Sequence, residues 1–215
     1  MFRRAAAALA LPVILFASQP AQAATEKYRV ALRGFPVGMM TVTDQRGGNG
    51  VYDAKSHFKT TGLAGVVREV YFTMQSRGRH KGASLYPVHF VEDMNTGKRK
   101  SNGKVQFNGG DARWDPNTAM IAVLADRPVA QGCAFDESVF DGKRTHQLKI
   151  WTVSESEGQL NCKGTFTRTA GYTAKQLSSR MGYTFTISYN NQGGTWVFNE
   201  AATDTDYGRV NLYAR

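Results

Sequence analysis

Apolar and polar residues alternate along most of this chain in short runs, and each run is bounded by Gly, Asn or Asp. This is the pattern of half-buried strands joined by tight turns, and it constrains the fold more than any other feature of the sequence. Tyr28-Arg29-Val30-Ala31-Leu32 alternates and then meets Gly34-Phe35-Pro36-Val37-Gly38, which reads as a bend or bulge before residues 39–43. Arg46-Gly47-Gly48-Asn49-Gly50 is a turn, and residues 51–60 answer it as a strand. Residues 68–77, 84–93, 98–107 and a short 111–114 continue the meander. Residues 146–153, 160–168, 185–189, 195–198 and 210–213 complete it. Roughly ten or more strands predict a mainly β fold, a strongly curved antiparallel sheet or open β-barrel, because a sheet that long must curl to protect its edges.

Two segments break the alternation. Asp115 precedes Pro116, a cap followed by proline at the first helical position, and the apolar run from Ala119 to Ala125 follows before Asp126-Arg127-Pro128 ends it. This helix is apolar nearly all round, so it is expected to be buried, plugging or lining the concave side of the sheet. Thr173 and Gln176 have capping-box spacing and open a second, short surface helix reaching about Arg180.

The first 23 residues carry targeting information. Arg3 and Arg4 precede an apolar run over residues 5–18, and Ala21-Gln22-Ala23 forms a small-x-small cleavage site, so a secretory signal peptide cut after Ala23 is expected. The run is too short and too alanine-rich for a membrane span. Residue 24 is Ala and not Cys, so no lipid-attachment signal is present. The mature chain, residues 24–215, is therefore expected to be one β-rich periplasmic domain that does not span a membrane. It would keep 25 basic against 17 acidic side chains, a balance that draws it towards anionic envelope components. Nucleic acid is not an expected partner in that compartment. The densest basic cluster, Lys98-Arg99-Lys100 near Lys104, reads as a solvated hairpin turn.

Cys133 and Cys162 are the two cysteines of a chain expected in an oxidising space, which predicts one disulfide. The closed loop of about 30 residues corresponds to roughly 3–4 kcal/mol of stabilisation through the unfolded chain. No C-x-x-C pair is present for redox work, and His146 alone lies between the cysteines, so neither zinc nor any other cofactor is expected.

The sequence has no G-x-S-x-G elbow, H-E-x-x-H pair, phosphate-cradling loop or dinucleotide fingerprint. His57, His80, His89 and His146 are scattered. Asp136, Glu137 and Asp141 could pair as carboxylates, although Asp141-Gly142 also reads as a plain turn. Asp204 and Asp206 are a thin calcium signal. No catalytic residue is expected, and a non-enzymatic protein is the reading. The stronger signal is apolar. Phe72, Met74, Phe90, Trp151, Phe166, Phe185 and Trp196 are expected on the inner face with Tyr86 and Phe198, and Met120 and Leu124 of the buried helix are expected to face them. Such a surface either packs solid or lines a cavity for an acyl chain.

Several ordered motifs carry a family resemblance. Tyr28-x-Val30-x-Leu32 with Gly34-Phe35-Pro36-Val37-Gly38, Thr61-Gly62-Leu63-Ala64-Gly65, Leu85-Tyr86-Pro87 and the Asp115-Pro116 helix are the first of them. Cys133 followed by Val139-Phe140-Asp141-Gly142-Lys143-Arg144, Cys162 leading to Ala170-Gly171-Tyr172, and Tyr207-Gly208-Arg209-Val210 complete the set. Together they resemble the domain of unknown function 3108 family. The resemblance implies an exported proteobacterial protein without an assigned activity, whose sheet is similar in shape to periplasmic lipoprotein carriers. It carries over no catalytic residues.

The expected function is therefore support of the cell envelope by a non-enzymatic periplasmic protein that binds a hydrophobic or amphiphilic, lipid-like ligand in its curved sheet. The alternative is an interaction module that docks on an envelope protein, peptidoglycan or lipopolysaccharide through its basic surface. An outer-membrane barrel fits poorly, because strands are charged on both faces and one helix is buried.

Overall fold

The computed structural model describes residues 24–67 and 69–215; the expected leader, residues 1–23, and its cleavage site lie outside them. The alternating runs form strands β1 (Ala24–Leu32), β2 (Phe35–Arg46), β3 (Val51–Thr60), β4 (Tyr71–Lys81), β5 (Ser84–Asn95) and β6 (Lys100–Gln106). After an interval come β7 (Arg127–Pro128), β8 (Phe135–Phe140), β9 (Thr145–Glu155), β10 (Gln159–Ala170), β11 (Gly182–Gln192), β12 (Thr195–Thr205) and β13 (Gly208–Ala214). All thirteen belong to one sheet in the order β6-β5-β4-β3-β2-β1-β13-β12-β11-β10-β9-β8, with β7 paired to β12. Every pairing is antiparallel, so the hairpin turns fall alternately at two ends. Residues 33–34, 96–99, 141–144, 171–181 and 206–207 gather at one end, the Tyr172 end. Residues 47–50, 82–83, 156–158 and 193–194 gather at the other, the Asp126 end.

Register makes the inner face. Val30 opposes Leu212 and Ile187 opposes Cys162, so the buried member of each strand falls on the same side. At two positions in the sheet a glycine lies beneath an aromatic ring. A Cβ at Gly164 would run into the Phe185 ring and come within 2.9 Å of the Lys149 carbonyl oxygen, and one at Gly78 would meet Tyr52 Cε1 at 2.7 Å.

The sheet is curved but not closed. Among the described residues β6 and β8 do not pair, and the connection after β6 fills the seam. Trp114 bridges to Val139: its backbone N–H donates to the Ser138 carbonyl (2.8 Å), and its carbonyl accepts from the Phe140 N–H (2.7 Å). Phe107 and Phe140 meet edge to face at 6.4 Å. Residues 111–114, expected as a short strand, thus contribute a single bridge.

The interval between β6 and β7 holds helix α2 (Pro116–Leu124). Asp115 caps it with Oδ1 accepting from the Thr118 N–H at 2.8 Å, and Pro116 supplies the first turn. Ile121, Leu124, Ala119 and Ala122 join the main apolar core with Tyr28, Tyr189, Trp196 and Phe198, so the helix occupies the concave side as expected. The expected surface helix is present as α3 (Ala174–Ser179), with both capping-box bonds formed. A short helix α1 (Gly62–Val67) stands where the sequence offers two glycines, and the strand expected at residues 68–77 is displaced to β4. No helix among the described residues is long and apolar enough to cross a membrane.

The disulfide joins Cys133, after α2, to Cys162 on β10, spanning the hairpin turned at residues 156–158 as the sequence implied.

Candidate ligand-binding interior

The interior is built around α2, which is held at both ends by polar groups that the sheet supplies. At the N-terminal end Asp115, Asn117 and Thr118 are fully buried, so polar side chains join the expected, nearly all-apolar helix. Each is satisfied. Ser76 Oγ donates to Asp115 Oδ1 (2.6 Å), Ser56 Oγ donates to Asn117 Oδ1 (2.5 Å), and Tyr52 shares a hydrogen bond with Thr118 Oγ1 (2.7 Å). Thr118 Oγ1 donates to Asp115 Oδ2 (2.6 Å), and Asn117 Nδ2 donates to the Ala54 carbonyl (3.1 Å). Burial pushes the Asp115 carboxyl above the usual carboxylate range, opposed by the hydrogen bonds from Ser76 and Thr118.

At the C-terminal end the carbonyls of α2 lack helical partners. The buried Arg127 guanidinium supplies them through Nη2, which donates to the carbonyls of Ala122 (2.8 Å) and Val123 (2.9 Å). Tyr189 OH donates to the Val123 carbonyl at 2.7 Å. The Arg127 guanidinium also lies over the Tyr189 ring at 4.7 Å and the Phe135 ring at 5.1 Å. Burial lowers the Arg127 pKa, and burial pushes the Tyr189 hydroxyl up to about 12.

Space is found at the Asp126 end, where two adjoining clefts share Glu26, Tyr28 and Asp126. One of about 330 Å³ has Val42, Ile121 and Leu124 as its apolar floor and Asp44, Arg46 and Asp126 at its rim. The other, about 530 Å³, lies between Tyr28, Val197 and Phe198, with Lys27 and Arg215 beside it. Arg46 Nη2 pairs with Asp44 Oδ2 at 2.7 Å, whereas Asp44 Oδ1 is buried with no protein donor. Tyr28 OH donates to Glu26, and burial is the main reason its pKa is raised.

The structure sorts the candidate lining residues into groups. Phe72, Met74, Phe90 and Met120 come together in a second apolar cluster with Val105 and Phe107. Phe166, Phe185 and Trp196 pack in or against the main core, and Leu124 and Phe198 also line the clefts. Trp151 is not a lining residue. It opposes Lys163 on the outer face and is 42% exposed, because Leu148 and Ile150 take the inward positions of β9. Tyr86, expected inside with them, is likewise outside at 54% exposure.

The acidic residues also separate. Asp136 pairs with Lys149 at 3.2 Å on the surface, while Asp141 closes a turn by accepting from the backbone N–H groups of Lys143 and Arg144. Asp204 pairs with Arg209, and Asp206 pairs with Lys98 and Arg180, so these two acids answer cations of their own chain. Lys98 is therefore not free in its hairpin turn. It reaches from residues 96–99 across to the turn at 206–207.

Residues that sequence reading did not single out as a site are Arg127, Asp44 and the group around Tyr172. Tyr172 OH shares a 2.5 Å hydrogen bond with His146 Nε2, and the His146 ring stacks on Phe166 at 4.3 Å. Burial lowers His146 to about 4, so it is neutral at physiological pH. Arg127 at the end of α2 and the Asp44–Arg46 pair are local contacts, whereas only the topology assembles the Tyr172 group.

The chain is thus a mainly β protein, a curved, unclosed antiparallel sheet around a capped apolar helix, with open clefts at one mouth. Residues 27–118 match the model of the family described as protein of unknown function (DUF3108), the family whose likeness the sequence carries. The match runs from β1 into the first turn of α2. The motifs from Cys133 onward lie outside it. No curated protein and no solved structure matches the chain.

Proposed function

We propose that this chain is an exported, non-enzymatic envelope protein that binds the apolar part of an amphiphile at the Asp126 end of its sheet. The cleft between β1, β2 and α2 carries this reading, because its floor of Val42, Ile121 and Leu124 is apolar and its rim of Glu26, Asp44 and Asp126 is charged. A site of that size and polarity suits one end of a lipid-like molecule, with the tail on the floor and polar groups at the rim. Export rests on the N-terminal signal of residues 1–23, and an envelope role follows from that compartment.

The test is uptake of a fluorescent long-chain fatty acid by delipidated protein, compared with Ala125→Phe. Ala125 lines the cleft and is half-buried, so the larger side chain enters the open volume. Saturable uptake that the substitution abolishes is the expected result. Uptake equal in both proteins, or none in either, refutes the reading.

A further inference from the structure

The opposite mouth differs in charge. Around Tyr172, cations arrive from three separate segments: Arg99 from the turn after β5, Lys143 and Arg144 from the turn before β9, and Arg168 from β10. The guanidinium groups of Arg144 and Arg168 both lie over the Tyr172 ring, at 5.0 Å and 4.8 Å from its centroid. Burial raises the Tyr172 hydroxyl pKa, and Arg144, Arg168 and Arg99 all oppose that rise, so all three act on one hydroxyl. Arg99 and Lys143 likewise both act on Glu92.

These charges are not answered from within the chain. Elsewhere Arg46, Lys59, Arg77, Arg113, Lys149 and Arg209 each pair with a carboxylate. Among the described residues none pairs with Arg99, Lys143, Arg144 or Arg168. The nearby acids are committed: Asp141 Oδ1 accepts two backbone N–H groups, Glu92 is buried and accepts from Ser101 at 2.8 Å, and Asp206, whose charge also acts on Arg168, pairs with Lys98 and Arg180. Arg168 is held in place by donating from Nη1 to the carbonyls of Gln176 and Arg180, both at 2.8 Å. A fixed guanidinium flanked by unpaired cations is an arrangement that recognises phosphate oxygens.

We propose that Arg99, Lys143, Arg144 and Arg168, grouped around Tyr172, bind a phosphate-type anion, either free or as a lipid headgroup. This site is independent of the cleft at the Asp126 end, so either can fail without the other.

Two probes separate the sources: inorganic phosphate, followed by the His146 and Tyr172 resonances, and flotation with vesicles of phosphatidylcholine alone or with phosphatidylglycerol. The triple variant Arg99→Gln, Lys143→Gln, Arg144→Gln is compared with Lys55→Gln, Lys81→Gln, Lys163→Gln, which removes the same charge from exposed positions elsewhere. Near-UV circular dichroism checks that both remain folded. At roughly fivefold per cation near an anionic surface, the first triple is expected to lose about a hundredfold in affinity and the second far less. Phosphate binding lost in the first triple assigns a free anion, and binding only to phosphatidylglycerol vesicles assigns a headgroup; both support the site. Equal losses in the two triples, wild-type binding by the first, or no binding of either probe at low ionic strength overturns it.

Discussion

Replacing Asp115 with Ala tests whether the polar clamp seats α2 in the sheet. The carboxylate accepts three hydrogen bonds, from the Thr118 N–H, the Thr118 hydroxyl and the Ser76 hydroxyl. Loss of the cap costs about 1 kcal/mol. The Thr118 hydroxyl can turn to Tyr52, but the buried Ser76 hydroxyl keeps no partner, which adds about 1–3 kcal/mol. A total of about 2–4 kcal/mol is expected, a large share of the stability of a chain this size. Asp115→Asn keeps the capping oxygen, and its cost is expected to stay under about 1 kcal/mol. The pair also carries a pH signature. Burial raises the folded pKa of Asp115 above its unfolded value, so its contribution is fullest below the unfolded pKa and is lost as pH rises through the folded one. Wild type should therefore gain on Asp115→Asn as the solution is acidified. Urea unfolding followed by tryptophan fluorescence at neutral and acidic pH reads both quantities. An Ala cost below about 1 kcal/mol, or a wild-type-minus-Asn difference that does not move with pH, would show that the clamp is wet and does not seat the helix.

Gly164→Ala should destabilise by about 1–3 kcal/mol, because its Cβ meets the Phe185 ring and the Lys149 carbonyl. Gly109→Ala, with nothing within 4 Å, should stay within about 0.5 kcal/mol; thermal melts of the two give the contrast. Cys133→Ser with Cys162→Ser opens a loop of separation 29 and should cost about 3–4 kcal/mol, read as a lowered urea midpoint with a steeper slope, because the unbridged unfolded chain exposes more surface. For His146 the sign is opposite to that of Asp115. Its folded value, about 4, lies below the ordinary imidazole value of 6.5, so stability is full above 6.5 and falls as pH drops towards 4. His146→Phe should flatten that part of the stability–pH curve, and a His146 NMR titration midpoint near 6.5 in the folded protein would contradict the assignment.

What the sequence revealed and what it hid follow from the range of the interactions. Turns such as residues 47–50 and capped helices such as α2 and α3 are written in neighbouring residues, so local chemistry exposes them. α1 was hidden because two of its six residues are glycine, which removes the propensity signal. Trp151 was placed inside by its size, although the period of two through Leu148 and Ile150 already puts it outside. The buried polar end of α2 could not be read, since Asp115, Asn117 and Thr118 meet partners 39, 61 and 66 residues away. The Tyr172 group has the same character, with Arg99 arriving from a different half of the sheet.

The helix also explains why binding is assigned to the mouths. A sheet of thirteen strands curling on itself could close over a central cavity, but α2 occupies that space and its connection fills the seam between β6 and β8. β6 also carries the exposed Lys100 and Lys104, charges that discourage pairing with another sheet. With the middle taken by Ile121, Leu124 and their neighbours, open volume is left where the helix ends, beside Asp126, and the far end is left to hairpin turns bearing unpaired cations. An amphiphile held at the first mouth and an anion held at the second would thus be separated by the packed helix. Occupying one should leave the affinity of the other unchanged, unless α2 itself shifts; measurable coupling between fatty acid and phosphate would place a movable helix at the centre of the mechanism.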